Sequence, residues 1–206
     1  SGTVPSINKL TQLEQLTLYG NTYLSGTVPS INKLTQLERL TVSGKCVPLS
    51  DDFSSCTDLE VLQIANTASS YNFPSFLTSF TKLEILELNV GKLYGTIPSE
   101  IGLLSELSDL RIQHISQRDS TIPTELGNLS KLRFLWVDGL YGGTIPSEIG
   151  NLSDLIGLNL YSPTLSDHIS SELVRLTKLQ SLMLNTASVT YTGTVPEKIH
   201  SFLSGK

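Results

Sequence analysis

The chain of 206 residues is poor in the residue types that carry chemistry, with two cysteines, three histidines, one methionine and one tryptophan. Cys46 and Cys56 are too few for a disulfide scaffold, and they lack the histidine company a zinc site needs. His114, His168 and His200 stand in distant stretches with no recurring serine, cysteine or carboxylate partner. No phosphate-cradling Gly loop and no metal-ligand spacing occur either. The sequence therefore offers no catalytic residues, no metal site and no cofactor site, and an enzyme is not expected. Basic residues are also scarce: 14 Lys and Arg against 19 Asp and Glu leave a net charge of −5. Without a Lys/Arg-rich run, nucleic acid is not an expected partner. No apolar stretch approaches the roughly 18 residues that span a bilayer, so direct membrane insertion by this segment is not expected. The chain opens on Ser1 without a signal-like segment, which reads as a mature product or an excised piece of a longer one.

What the sequence has is repetition. SGTVPSINKLTQLE, residues 1–14, recurs letter for letter at 25–38. A pattern LxxLxL, with Val or Ile allowed last, starts at Leu13, Leu37, Leu59, Leu83, Leu107, Leu132, Leu155 and Leu179. A period of this length marks a stack of units, because one unit cannot bury its apolar face alone. The alternation in LxL predicts short strands with one face inward and one outward, laid side by side as a parallel sheet. After a variable loop, segments such as TIPSEIGNL place Pro, then Ser and an acidic residue, where the first turn of a short helical segment would begin. Ile101, Leu104 and Leu107, with their counterparts Leu126, Leu129, Leu132 and Ile149, Leu152, Leu155, return to the same core. With 39% apolar residues, one continuous core is within reach. The expectation is a single solenoid over 1–206 with about eight strand-bearing repeats, both ends falling within a repeat.

LYGTIPSEIG (93–102) and GGTIPSEIGNLSDL (142–155) closely resemble the LxGxIPxxLGxL unit of plant-type, 24-residue leucine-rich repeats, the kind found in receptor-kinase ectodomains and polygalacturonase-inhibitor-like proteins. The resemblance implies an α/β fold: a right-handed leucine-rich-repeat solenoid with a concave parallel β-sheet and short helical turns on the convex side. It also implies a second short sheet at the GTIP segments, an extracellular or cell-surface location and a recognition role. The chain departs from the family where an inward Asn normally satisfies buried backbone. That slot is Asn21 once, and otherwise Lys45, Thr67, Gly91, Ile115, Leu140, Pro163 and Ala187. Paired-cysteine caps are absent as well. Since repeat arrays generally need polar caps, the ends are expected to be truncated or to abut other subunits.

The outward slots separate a bland half from a distinctive one. Small polar residues, Thr17, Thr41 and Ser43 among them, fill the first units, whereas Arg111, Phe134, Trp136, Asp138, Asn159, Tyr161 and Met183 form a patch over the last four strands. Trp, Tyr and Arg are the types that carry binding energy at interfaces, so this patch is the expected site for a protein or peptide ligand. Cross-strand aromatic packing is the alternative. A structural role, with units associating end to end into a filament or matrix, is a second reading. A third is ice binding by the rank Thr3, Thr27, Thr96, Thr121, Thr144 and Thr194, against which stands the ordinary β-propensity of Thr. The column Glu100, Glu125, Glu148, Glu172 and Glu197 reads as acidic residues favoured near helical N-termini, ahead of the other reading, attraction of a cation or basic partner. Asn128 and Asn151 begin N-x-S sequons and are candidate glycosylation sites. Cys56 takes a core leucine slot ten residues after Cys46, and both a disulfide between them and a buried free thiol stay open.

Overall fold

The computed structural model describes residues 6–19, 30–44, 54–118, 120–142, 145–162 and 171–185. Each LxxLxL segment forms a strand: β1 Gln15–Tyr19, β2 Arg39–Ser43, β3 Val61–Asn72, β4 Ile85–Tyr94, β5 Asp109–Ile115, β6 Phe134–Asp138, β7 Gly157–Tyr161 and β8 Ser181–Asn185. They lie in chain order in one parallel eight-stranded sheet. Register follows the motif without a slip at its centre, pairing Leu86 with Leu110, Leu110 with Leu135, and Leu135 with Leu158. Each strand from β2 to β8 begins on a forked bond in which two successive amides share the carbonyl one coil back: Arg133 and Phe134 both donate to Ser108 O, at 2.8 and 3.1 Å.

The motif leucines form one continuous core. Leu37, Leu40, Leu83, Leu86, Leu107, Leu110, Leu132 and Leu155 are fully buried. Behind the sheet, five units make a single five-residue 3₁₀ turn, at Ser75–Ser79, Ser99–Leu103, Thr124–Asn128, Ser147–Asn151 and Ser171–Arg175, the first four directly after a proline. The expected helical start is thus shorter than an α-helix, and Pro98 sits just before its turn with φ −72° and an extended ψ of 149°. Its carbonyl accepts from the Ile101 amide at 3.1 Å. One turn is all the unit has room for, because Ile101 and Leu104 must both reach the core before the next strand starts. The last four of these turns touch one another through glycine: a Cβ added at Gly127 would lie 2.5 Å from Glu148 O, and one at Gly150 would lie 2.7 Å from Glu172 O. Gly102 meets Glu125 O in the same way. Side chains there would hold the coils apart.

The missing Asn ladder is replaced in two ways. In the middle units the strands lengthen: Ser70, Tyr71 and Asn72 pair with Lys92, Leu93 and Tyr94, and Leu93 pairs with Ile115. Farther on, Ser162, fully buried, donates its hydroxyl to Leu140 O at 2.6 Å. Ile115 and Leu140 therefore serve as inward apolar residues in the slot where Asn was absent. The second sheet implied for the GTIP segments does not form at residues 96–98, which are outside any strand. The pairing that would have made it belongs instead to the extended β3–β5. Another departure is His114, which adopts φ 61° where the equivalent Gly44 and Gly139 have φ 99° and 91°.

Cys56 is a free, buried thiol that fills its leucine slot and donates to Ile31 O at 3.7 Å. Cys46 lies outside the described residues, as do His168, His200, Glu197, Thr3, Thr27, Thr144 and Thr194.

Candidate functional site

Strand alternation places the sequence-predicted patch on one sheet face, and the register fixes who neighbours whom. In the first outward row, Asp109, Phe134, Gly157 and Ser181 stand side by side; the middle row holds Arg111, Trp136, Asn159 and Met183; the third brings Asp138 beside Tyr161. All seven candidate residues therefore fall on adjacent strands. Phe134, Trp136, Tyr161 and Met183 are exposed by 41, 39, 42 and 59%. Four large apolar side chains left open to solvent on one face is an arrangement that soluble surfaces rarely carry without a use.

Polar groups fix the border of this surface. Arg111 donates through Nε and Nη2 to the two oxygens of Asp109 at 3.0 and 2.8 Å. That hydrogen bonding holds the guanidinium above its ordinary pKa, against the opposing pull of burial, with the charges of Asp109 and Glu87 adding to it. Both partners are thereby fixed in place, and the pair presents a nearly neutral, rigid edge. On the other flank His114 Nδ1 lies 3.9 Å from an Asp138 oxygen. Toward the N-terminal half, Thr41 donates to Gln63 at 3.3 Å and Gln63 to Glu87 at 3.1 Å. That half is self-satisfied, in keeping with its bland outward residues. Val61, which the register places in the outward row between Arg39 and Ile85, is only 5% exposed and leaves little surface on the face.

Gly157 is the site residue that sequence reasoning missed. Its lack of a side chain leaves a gap in the first outward row between Phe134 and Ser181, and a cavity of about 440 Å³ opens there. The Phe134 ring leans over the glycine, 3.1 Å from where a Cβ would stand. Trp136, Met183, Asn159, Gln180 and Ser181 complete the walls. Apolar walls with a few convergent amide and hydroxyl groups are the make-up of a ligand site. The lining carries one hydroxyl, that of Ser181, and no His, Cys, Asp or Glu beside it, and among the described residues no three His, Cys, Asp or Glu side chains converge on a metal position.

The other candidates sit on the opposite side. Asn128 and Asn151 are exposed at the ends of successive turns, and Thr96 and Thr121 are exposed before theirs. Glu100, Glu125 and Glu148 each accept a hydrogen bond from the hydroxyl of the preceding Ser or Thr, at 3.2, 3.2 and 3.0 Å. Glu172 pairs with Arg175 at 2.7 Å.

Neither a family model nor a curated protein matches the sequence. Solved structures do. The chain is similar to the plant peptide hormone receptor RGFR1 in complex with RGF2, with 28% identity and a TM-score of 0.74 over 90% of this chain and 31% of that one. It is likewise similar to the Arabidopsis receptor kinase HAESA in complex with the peptide hormone IDA and the co-receptor SERK1, with 28% identity and a TM-score of 0.77 over 89% and 32% of the two chains. This chain thus spans about a third of the length of those receptor chains. A plant ice-binding protein shares the fold at 22% identity and a TM-score of 0.59, over 83% of this chain and 72% of that one. That last likeness is one of fold alone.

Proposed function

The chain being a leucine-rich-repeat solenoid of the plant type, we propose that it is a recognition module that binds a protein or peptide segment on its concave sheet face. The observation that carries this reading is the open aromatic surface around the Gly157 hollow. Receptors of similar structure are described in complex with peptide hormones, which favours an extended peptide as the ligand. One bulky apolar side chain of that peptide fills the hollow beside Phe134, Trp136 and Met183, while Asn159, Gln180 and Ser181 bond its backbone. Burying one large apolar side chain contributes about 1.5–3 kcal/mol, and an anchor of this kind dominates an interface. Because parallel pairing already holds every wall in position, little ordering cost offsets that gain. Arg111, Asp138 and Tyr161 border the hollow and set which flanking residues are accepted.

The setting that goes with this function is extracellular or at the cell surface, where Asn128 and Asn151 would be open to glycosylation. Filament assembly and ice binding are the competing proposals, tested by sedimentation and by thermal hysteresis. For the concave site, peptides selected on the folded chain from a random display library supply the ligand. Trp136→Ala and Phe134→Ala should each weaken the selected peptides by about tenfold or more. If folded variants retain full affinity, the patch is not the site.

A further inference from the structure

A second cavity lies on the far side of the solenoid, between the Ser75–Ser79 and Ser99–Leu103 turns, with a volume of about 450 Å³. Its origin is a single position. Gly102, Gly127 and Gly150 let each following turn settle against bare backbone, but the equivalent residue of the Ser75–Ser79 turn is Thr78. A Cβ in that place keeps the next coil off, and the cleft is the space left between them. Phe73, Pro74, Leu77 and Pro98 make apolar walls. Thr78 and Thr96 are exposed, and Glu100 brings the one ionisable group of the lining. Among the described residues no basic side chain lies within ion-pair distance of Glu100, which accepts a hydrogen bond from the Ser99 hydroxyl at 3.2 Å. Glu125 and Glu148 follow on the next two turns, each likewise accepting from a neighbouring hydroxyl.

We propose that this cleft is a separate docking site that takes an arginine side chain from a basic segment of a partner protein. An apolar slot ending in a carboxylate suits a side chain with a methylene stem and a charged, planar head. The guanidinium stacks on aromatic and ring faces such as Phe73 and Pro98, and its fork matches a carboxylate through two parallel hydrogen bonds. Lysine, a compact and strongly hydrated charge, would leave the ring faces unused. The carboxylates of Glu125 and Glu148 and the net charge of −5 favour a partner that continues basic beyond the anchor. This site shares no residue with the concave hollow, so either can fail without the other.

The test is a titration of the folded chain with acetyl-glycyl-arginyl-glycinamide and with its citrulline counterpart, which keeps the shape and removes the charge. Amide shifts of Thr78, Thr96 and Glu100 are read by heteronuclear NMR. The arginine peptide should shift these amides saturably, and the citrulline peptide should bind about tenfold more weakly or less. Glu100→Gln, an exposed and shape-conserving change, should bring the arginine peptide down to the citrulline level. Thr78→Gly, which lets the Ser99–Leu103 turn settle, should abolish the response to both. Equal responses to the two peptides, shifts insensitive to Glu100→Gln, or full binding by a folded Thr78→Gly variant would each overturn the proposal.

Discussion

Cys56 occupies a slot that leucine takes in other units, and burial pushes its thiol from an ordinary value near 9 up to about 11. The sign of the consequence follows from proton binding. Below pH 9 the thiol is neutral in both folded and unfolded chains and adds no slope. Between 9 and about 11 the unfolded chain loses this proton and the native one keeps it, so stability falls as pH rises, by about 1.4 kcal/mol per unit from this group. Above that range the slope levels off. Urea unfolding of the parent and of Cys56→Ala should therefore converge with rising pH across this window, with Cys56→Ala the less stable below it. Curves that stay parallel would mean that the thiol is already solvated. At this scale the sequence reading was uneven for physical reasons. Period-2 alternation identifies an outward slot, so Phe134, Trp136 and Met183 could be placed before any coordinates. It cannot tell that Val61 is covered by its neighbours, nor that Gly157 matters, since a hollow is made by the side chains around an absence. The left-handed backbone of His114 has only a weak residue signal, because glycine is the type that normally marks it and histidine takes it seldom.

The 3₁₀ turn is the element that sets the spacing between coils. Gly127→Ala forces a methyl toward Glu148 O and Glu148 Cβ, at 2.5 and 2.7 Å. Backbone cannot yield as a side-chain tip would, and such overpacking costs about 1–3 kcal/mol. Chemical denaturation should show that loss with an unchanged m-value; a loss below about 0.3 kcal/mol would indicate that the two turns separate freely. The reverse case is the junction at Thr78, where the glycine is already gone and a cleft has opened. Much of this element was legible: proline, the acidic residue and the returning leucines marked its place and its inward face. Its hydrogen-bond class was not, because the unit's length decides between one 3₁₀ turn and a longer α-helix. The strands show the same division. Their cores were evident from LxxLxL, whereas the lengthening of β3–β5 rests on backbone pairing between neighbouring loops, which the missing Asn does not mark, since the slots at Leu140 and Pro163 lack it without longer strands.

For the whole molecule, stacking of units makes structure nearly one-dimensional: each coil rests on its two neighbours, and the same inward leucines recur along a continuous core. Ion pairs follow that logic two coils at a time, Asp58 with Lys82, Glu106 with Lys131 and Asp154 with Lys178, at 2.6, 2.5 and 2.5 Å. Exposed pairs of this sort contribute little energy. A scaffold so regular leaves its distinguishing chemistry to the places where the repeat is broken. The verbatim copy at 1–14 and 25–38 announces the architecture, and the substitution of a glycine into an outward row makes the hollow. The central claim is that this hollow receives a side chain of a bound peptide. It is tested most directly by Gly157→Leu, which fills the space from its floor, measured by isothermal titration with the peptides selected on the parent chain. Peptide binding falling by about a hundredfold, with the circular dichroism spectrum and thermal midpoint of the parent retained, is the predicted result. A folded Gly157→Leu chain that binds those peptides with the parent's affinity would contradict the account.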